Sequence, residues 1–306
     1  MKILVASTIC PDALHYLQRH HDVVCAVNGN ERELCAAIAD REALVFRSGV
    51  QINQAVLASA PELKLLIRAG SGLDNLDVEY ADQRELRLVR IPGPGAQAVA
   101  ELAFGMMINL ARQIRFNDNE LRKGHWTKQK TTGYVLHNKV LGIIGAGNIG
   151  SRVGQMGSAW GMKPVGCVEN PSSDEIKSLE SKGIRVAELE DVVKEADFLS
   201  IHVPKQESTL NLINEKVLSW MKPTSFLVNL ARGGIVDENA LLHALQNGHG
   251  PAAAALDVHL LEGEGKISPL AGLSNVLLTP HIGAATVDTM REIGQRIIKT
   301  IESPNE

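Results

Sequence analysis

Short apolar runs alternate with amphipathic stretches along almost the whole chain. In the first part, residues 2–6, 23–27, 43–47, 63–67 and 86–91 are short, apolar-rich runs, as strands are. Helical spacing separates them near 11–20, 31–39 and 52–59. Strands alternating with helices predict parallel pairing through crossover helices. Pro92-Gly93-Pro94-Gly95 is the strongest break and a natural place to leave a domain. Beyond it, residues 96–117 read as one long helix, apolar on nearly every face. A second alternation follows, with strands expected at 140–144, 165–168, 184–186, 198–202, 226–229, 253–258 and 276–278. A last helix, about 286–301, carries Ile293, Ile297, Ile298 and Ile301 on one side and returns to the first domain. The expected domains are therefore 1–95 with 286–306, and 96–285, with a substrate site in the cleft between them.

The strand expected at 140–144 runs into Gly145-Ala146-Gly147-Asn148-Ile149-Gly150, and Val153, Met156, Gly157 and Trp160 follow at helical spacing. This is the order strand, G-x-G-x-x-G turn, helix. The first glycine permits a tight turn, the second lets the backbone approach a pyrophosphate, and the third lets helix and strand pack closely. The N–H groups opening the helix then face the phosphates. Gly70-Ser71-Gly72 lacks the third glycine and the amphipathic run, so it does not compete.

Composition narrows the partners. At 306 residues the chain can form two cores, and 44% hydrophobic with 22% charged residues is a globular balance. A net charge of −4 offers no basic footprint for nucleic acid. The longest apolar-rich stretch, 98–111, is broken by Glu101 and Asn109 and is too short to span a membrane. Cys10, Cys25, Cys35 and Cys167 have no metal-ligand spacing and read as reduced thiols, so no metal and a cytoplasmic location are expected.

In an open parallel sheet, ligands sit beyond the carboxyl ends of the strands. Three such ends carry ionisable side chains: Arg232 after 226–229, Asp257 and Glu262 at and after 253–258, and His281 after 276–278. An arginine can grip a carboxylate and polarise a carbonyl, a histidine can exchange a proton with a hydroxyl, and a glutamate can hold the imidazole. Each residue alone also fits a plainer role: Arg232 in an exposed turn, Glu262 as a solvated carboxylate, His281 as a loop histidine capping the backbone.

Together, Asn229-Leu-Ala-Arg-Gly-Gly-Ile-Val-Asp237, Ala255-Leu-Asp-Val258 and Thr279-Pro-His-Ile-Gly283 resemble the signatures of the D-isomer-specific 2-hydroxyacid dehydrogenases. Arg68-Ala-Gly-Ser-Gly-Leu-Asp-Asn75 and Ala98-Val-Ala-Glu-Leu102 extend the resemblance over nearly the full chain. Within that family the likeness is to phosphoglycerate dehydrogenases, in a form without a C-terminal regulatory domain. The resemblance implies an α/β fold in which a Rossmann-type NAD-binding domain is inserted in a flavodoxin-like substrate-binding domain. It implies hydride transfer between nicotinamide and C2 of a 2-hydroxy or 2-oxo acid, with catalytic Arg232, Glu262 and His281. It assigns Arg232 and His281, with the Ser71 and Gly72 N–H groups, to the substrate. Arg47 and Arg68 match positions that meet the phosphate end, which suits a substrate with a second anionic group. For the cofactor it implies Gly145, Gly147, Asn148, Ile149 and Gly150 at the pyrophosphate, and Glu169 with Asn170 at the ribose. His202, Val203 and Pro204 would lie by the adenine, and Leu230, Ala231, Asp257 and Gly283 toward the carboxamide end. It also implies a homodimer through the cofactor domain.

Some positions depart from the family pattern. Glu169 lies 19 residues after Gly150, close to the expected spacing, but the ungapped acidic position falls on Val168. No Lys or Arg occurs between Val168 and Ile176 to neutralise a 2′-phosphate, which favours NAD over NADP. Gly95 replaces a usual asparagine, Gly263 a usual proline after the glutamate, and His259-Leu260 a common aromatic-acidic pair. These changes point to a remodelled cleft. A glyoxylate or hydroxypyruvate reductase is the alternative within the enzymes, and a dinucleotide-sensing corepressor-like protein the alternative outside them.

Overall fold

The computed structural model describes residues 1–303, which divide into two compact units: Met1–Gly95 with the chain from Ala284 onward, and Ala96–Gly283. The first unit runs β1 (Lys2–Val5), α1 (Pro11–His20), β2 (Asp22–Cys25), α2 (Glu31–Ile38), β3 (Ala43–Phe46), α3 (Gln54–Ala58), β4 (Leu65–Arg68), α4 (Val78–Gln83) and β5 (Arg87–Arg90). Its strands form a parallel sheet in the order β2-β1-β3-β4-β5, the flavodoxin-like arrangement. Side chains alternate across it, so one sequence feeds two cores. Leu4, Leu44, Phe46 and Leu66 pack on Leu34, Ile38, Val56 and Leu57 of α2 and α3. Ile3, Val5, Val45 and Ile67 pack on Leu17 of α1 and on Ile293, Ile297 and Ile301 near the C-terminus. Helix α4 is not predicted by the apolar pattern; at six residues it is shorter than any periodicity window, and Asp77 starts it by accepting from the Tyr80 N–H.

The second unit opens with α5 (Gly95–Arg112) and α6 (Ile114–Arg122). The single helix expected over 96–117 is thus two. Gln113 between them is left-handed, at φ 51° and ψ 42°. Burial explains the break: α5 buries residues as far as Ala111, whereas α6 buries none and leaves Ile114, Phe116 and Leu121 exposed. The apolar spacing runs on past the point where there is a core to receive it.

The remainder runs β6 (Val140–Ile144), α7 (Asn148–Ala159), β7 (Lys163–Cys167), α8 (Ser173–Ser181), β8 (Arg185–Val186), α9 (Leu189–Glu195) and β9 (Phe198–Ile201). It continues through α10 (Glu215–Ser219), β10 (Phe226–Asn229), α11 (Glu238–Asn247), β11 (Ala253–Leu256) and β12 (Val276–Leu278). Helix α12 (Val287–Glu302) then belongs to the first unit. The seven strands are parallel in the order β12-β11-β10-β9-β6-β7-β8. The chain winds outward from β6 to β8, then returns to the other side of β6 at β9. That reversal creates a crevice at the carboxyl ends of β6 and β9. Ile144, Ile201, Leu227 and Leu256 share a core with Val192 and Val193 of α9 and Leu241 of α11. Burying each such side chain is worth about 1.5–3 kcal/mol, which makes the strand ends a rigid base for the loops.

Candidate active site

The glycine turn occupies the reversal point. Gly145 has φ 86°, a left-handed value that favours glycine, and a Cβ there would lie 2.7 Å from Val203 Cγ1 and 2.9 Å from the His202 carbonyl. Gly150 is packed so closely that a Cβ would meet the Gly145 carbonyl oxygen at 2.2 Å. Gly147, which caps α7, is different: a Cβ there would meet nothing within 4 Å. Two glycines are thus demanded by the fold, while the third keeps open the space in front of the helix N-terminus. That space faces N–H groups that have no partner within the helix, the kind of groups that hold an anion. On the neighbouring strand, the Cys167 carbonyl accepts from the Gly145 and Ala146 N–H groups at 3.0 and 3.3 Å. Glu169 and Asn170 follow that anchor, both exposed, with Asn170 left-handed at φ 47°. Val203 and Pro204 sit across the turn, and the Pro204 carbonyl accepts from Thr209 Oγ1 at 2.7 Å.

The ionisable residues leave three adjacent strands, β10, β11 and β12, whose last residues pair as Asn229 with Leu256 and Leu256 with Leu278. Beyond β10, buried Asn229 folds the chain back: its Oδ1 accepts from the Ala231 N–H at 3.0 Å, and its Nδ2 donates to the Arg232 carbonyl at 3.2 Å. This turn buries Leu230 and Ala231 and brings Arg232 out half-buried. Gly233 then passes so near β11's loop that a Cβ would lie 1.7 Å from the His259 carbonyl oxygen.

Asp257 lies just outside its strand, since β11 ends at Leu256 rather than at 258. Its backbone N–H still donates to the Asn229 carbonyl at 2.9 Å, while its side chain turns to the next loop. Its carboxylate accepts from Thr279 Oγ1 at 2.5 Å, the Ile282 N–H at 2.8 Å and the Gly283 N–H at 2.7 Å. Its carbonyl accepts from the His281 N–H at 2.7 Å. His281 is held by these bonds in a left-handed conformation, φ 54°, which costs a non-glycine residue on the order of 1–3 kcal/mol.

His281 Nδ1 is 2.8 Å from Glu262 Oε2. A carboxylate accepts only, so Nδ1 carries the proton and Nε2 is left to exchange one; Nε2 has no hydrogen-bond partner among the described residues. Burial alone would raise the Glu262 carboxyl pKa. The hydrogen bond and charge of His281, with the His259 N–H at 3.2 Å, outweigh it and hold the group below the ordinary carboxylate range. His259, where the family pattern has an aromatic residue, donates from Nε2 to the Thr279 carbonyl at 2.9 Å. Asn229, Thr279 and His259 thus position the site, although the motifs alone give them no task. Their backbone partners become visible only once the strands are side by side.

In the first unit, the Arg47 N–H is fixed by Ser7 Oγ at 2.9 Å, and its guanidinium Nη1 is 2.8 Å from Met290 Sδ. No carboxylate meets it among the described residues, and burial lowers its pKa. Arg68 ends β4 and is 4% exposed; its Nε donates to the Gly72 carbonyl at 2.8 Å and its guanidinium lies over the Phe46 ring. It therefore shapes the turn that presents exposed Ser71 and half-buried Gly72.

Residues 104–283 match the sequence profile of the D-isomer specific 2-hydroxyacid dehydrogenase, NAD binding domain. The chain is 37% identical over 303 residues to D-3-phosphoglycerate dehydrogenase of Methanocaldococcus jannaschii, covering 99% of this chain and 57% of that protein. It is 37% identical over 271 residues to hydroxypyruvate reductase of Thermotoga maritima, covering 88% of this chain and 86% of the relative. Thus the chain spans little more than half the length of the phosphoglycerate dehydrogenases it matches. Among solved structures, D-lactate dehydrogenase from Aquifex aeolicus with NAD and lactic acid superimposes with a TM-score of 0.85 at 27% identity, over 99% of this chain and 95% of that one.

Proposed function

We propose that this chain, which belongs to the D-isomer-specific 2-hydroxyacid dehydrogenase family, interconverts a D-2-hydroxy acid and its 2-oxo acid with NAD as cofactor. The observation that carries the reading is the His281–Glu262 pair, with Nδ1 tied to a carboxylate and Nε2 without a partner among the described residues. In reduction, His281 gives the Nε2 proton to the carbonyl oxygen, and Glu262 stabilises the imidazolium before that step. Bound NADH supplies the hydride to C2. Arg232 binds the carboxylate and polarises the carbonyl, and the Ser71 and Gly72 N–H groups are further candidates for the carboxylate. Cofactor contacts are proposed at Gly145, Gly147, Asn148, Ile149 and Gly150, at Glu169 and Asn170, at His202, Val203 and Pro204, and at Leu230, Ala231, Asp257 and Gly283. The open space before α7 and exposed Glu169 at the end of β7 support NAD over its 2′-phosphorylated form.

Arg47 supports a substrate with a second anionic group, such as a phosphate or phosphonate. A half-buried guanidinium without a carboxylate partner is costly unless a ligand supplies the charge. Arg68, by holding Gly72, serves the same substrate. The second reading, a glyoxylate or hydroxypyruvate reductase, is favoured by the relative that this chain matches over most of its length. A homodimer through the cofactor domain is supported by exposed Ile114, Phe116, Leu121, Trp126 and Val135, an apolar set suited to a second copy. No helix among the described residues is long and apolar enough to cross a membrane, and four free cysteines suit the cytoplasm.

The test follows NADH consumption over 2-oxo acids with and without a second anionic group. Turnover restricted to dianionic acids and lost in Arg47→Ala supports the first reading, and His281→Ala should then abolish turnover while NADH still binds. Glyoxylate or hydroxypyruvate turnover indifferent to Arg47→Ala selects the reductase. Tight NADH binding without turnover of any acid refutes both and favours a sensor.

A further inference from the structure

Glu262 is presented by a segment with little packing of its own. Leu260 and Leu261 are each 60% exposed and Ile267 78%. Gly263 and Gly265 both have positive φ, 121° and 72°, which removes side-chain support from the tip. Under the segment, between Asp237–Asn239 and 260–269, lies a cavity of about 240 Å³. Apolar packing therefore does not seat this loop, yet its carboxylate must meet His281 at 2.8 Å.

One side chain holds both of its ends. Glu238 opens α11 and is 5% exposed. Its Oε1 accepts from the Leu260 N–H, two residues before Glu262, at 2.6 Å. Its Oε2 accepts from Ser268 Oγ, beyond the glycines, at 3.1 Å. Ser268 Oγ in turn accepts from the N–H of Leu270, which is fully buried, so this end is also tied to the core. Neighbouring Asp237 caps α11 through the Asn239 and Ala240 N–H groups, both at 3.0 Å. That cap fixes the base from which Glu238 reaches.

We propose that Glu238 is a positioning residue for the reaction: it clamps both ends of the 260–268 loop and so sets Glu262 against His281. The proposal rests on the reading of His281 and Glu262 as the proton-transfer pair. Charge-assisted hydrogen bonds at two separated points resist both sliding and lifting of the loop, which one bond would not. Without the clamp, Glu262 keeps only the His259 N–H and the imidazole itself as restraints. Two further groups bond directly to the pair: the His259 N–H donates to Glu262, and the Asp257 carbonyl accepts from the His281 N–H. Neither of them holds the loop's far end.

The experiment measures reduction of an accepted 2-oxo acid at saturating NADH across pH, in wild type, Glu238→Ala, Glu238→Gln, Ser268→Ala and Glu262→Gln. Glu238→Ala is expected to lower kcat by roughly tenfold, as misplacement of about an ångström does. Reduction should fall off at lower pH than in wild type, as in Glu262→Gln, because the displaced carboxylate no longer bonds His281 Nδ1. NADH affinity should stay within about twofold, since the loop does not belong to the glycine turn. Glu238→Gln keeps an acceptor for Leu260 and should recover most of the rate. In the Glu262→Gln background, Glu238→Ala should add less than about a twofold further loss, as coupled residues do. An unshifted pH profile in Glu238→Ala, or a full multiplicative loss in the double variant, overturns the clamp and leaves the pair standing. A wild-type profile in Glu262→Gln overturns the pair and the clamp with it. If Glu238→Ala does not fold, Ser268→Ala decides: a smaller shift in the same direction supports the clamp, and none refutes it.

Discussion

His202 makes the cofactor unit's stability depend on pH in a calculable way. It follows β9, with Nε2 2.8 Å from Oγ of fully buried Ser200. Nδ1 is sealed from solvent and has no partner among the described residues. Burial pushes the imidazole from its ordinary 6.5 down to about 3. The folded chain therefore keeps His202 neutral in a range where the unfolded chain protonates it. Below pH 6.5 the unfolded state binds the extra proton, so stability falls as pH falls, by up to about 1.4 kcal/mol per pH unit. The contribution is complete above the unfolded value and is lost on the way down to the folded one. Between pH 7 and pH 5 the loss due to this one ring is about 2 kcal/mol. Because pH 5 is still well above 3, that figure depends almost wholly on the unfolded value. The assay is urea unfolding at both pH values, followed by tryptophan fluorescence, which reports the second unit since Trp126, Trp160 and Trp220 all lie in it. His202→Gln should lose about 2 kcal/mol less than wild type between the two pH values, whatever the other histidines contribute to both. Equal losses in the two proteins would mean that the imidazole is charged or hydrated in the folded state, which would refute the assignment.

The glycine turn separates a structural demand from a ligand's. Gly147→Ala should keep the thermal midpoint within about 2 °C yet weaken NADH binding by at least about tenfold by calorimetry; normal binding would refute the pyrophosphate assignment. Gly150→Ala should lose both, since its Cβ meets a backbone oxygen. For the proposed homodimer, Leu121→Asp with Trp126→Ala should convert a sedimenting dimer to monomer while keeping the fold; a wild-type monomer at micromolar concentration would remove the proposal.

Much of this protein is legible along the chain, because its central strands are buried on both faces and its motifs stand at strand ends. The runs at 43–47, 140–144 and 226–229 coincide with strands to within a residue, since continuous apolar sequence has no other place in a parallel sheet. Glu262 and His281, singled out by their motifs, meet in space because β11 and β12 are neighbours. Local pattern was insufficient wherever burial or a distant partner decided the outcome. Ile114 and Phe116 continue a helical stripe, but no core meets them and the helix breaks at Gln113. Asp257 reads as the continuation of a strand, yet the strand ends at Leu256 and the Asp257 carboxylate binds Thr279, Ile282 and Gly283. Glu238 and Leu260 are 22 residues apart, and the clamp between them has no local signature at all. Sequence by itself determined which segments are strands and which residues end them, because periodicity and turn chemistry act over a few residues. Only the tertiary structure decided which polar side chains hold those ends in place, because a hydrogen bond depends on distance and direction in space, not on separation along the chain.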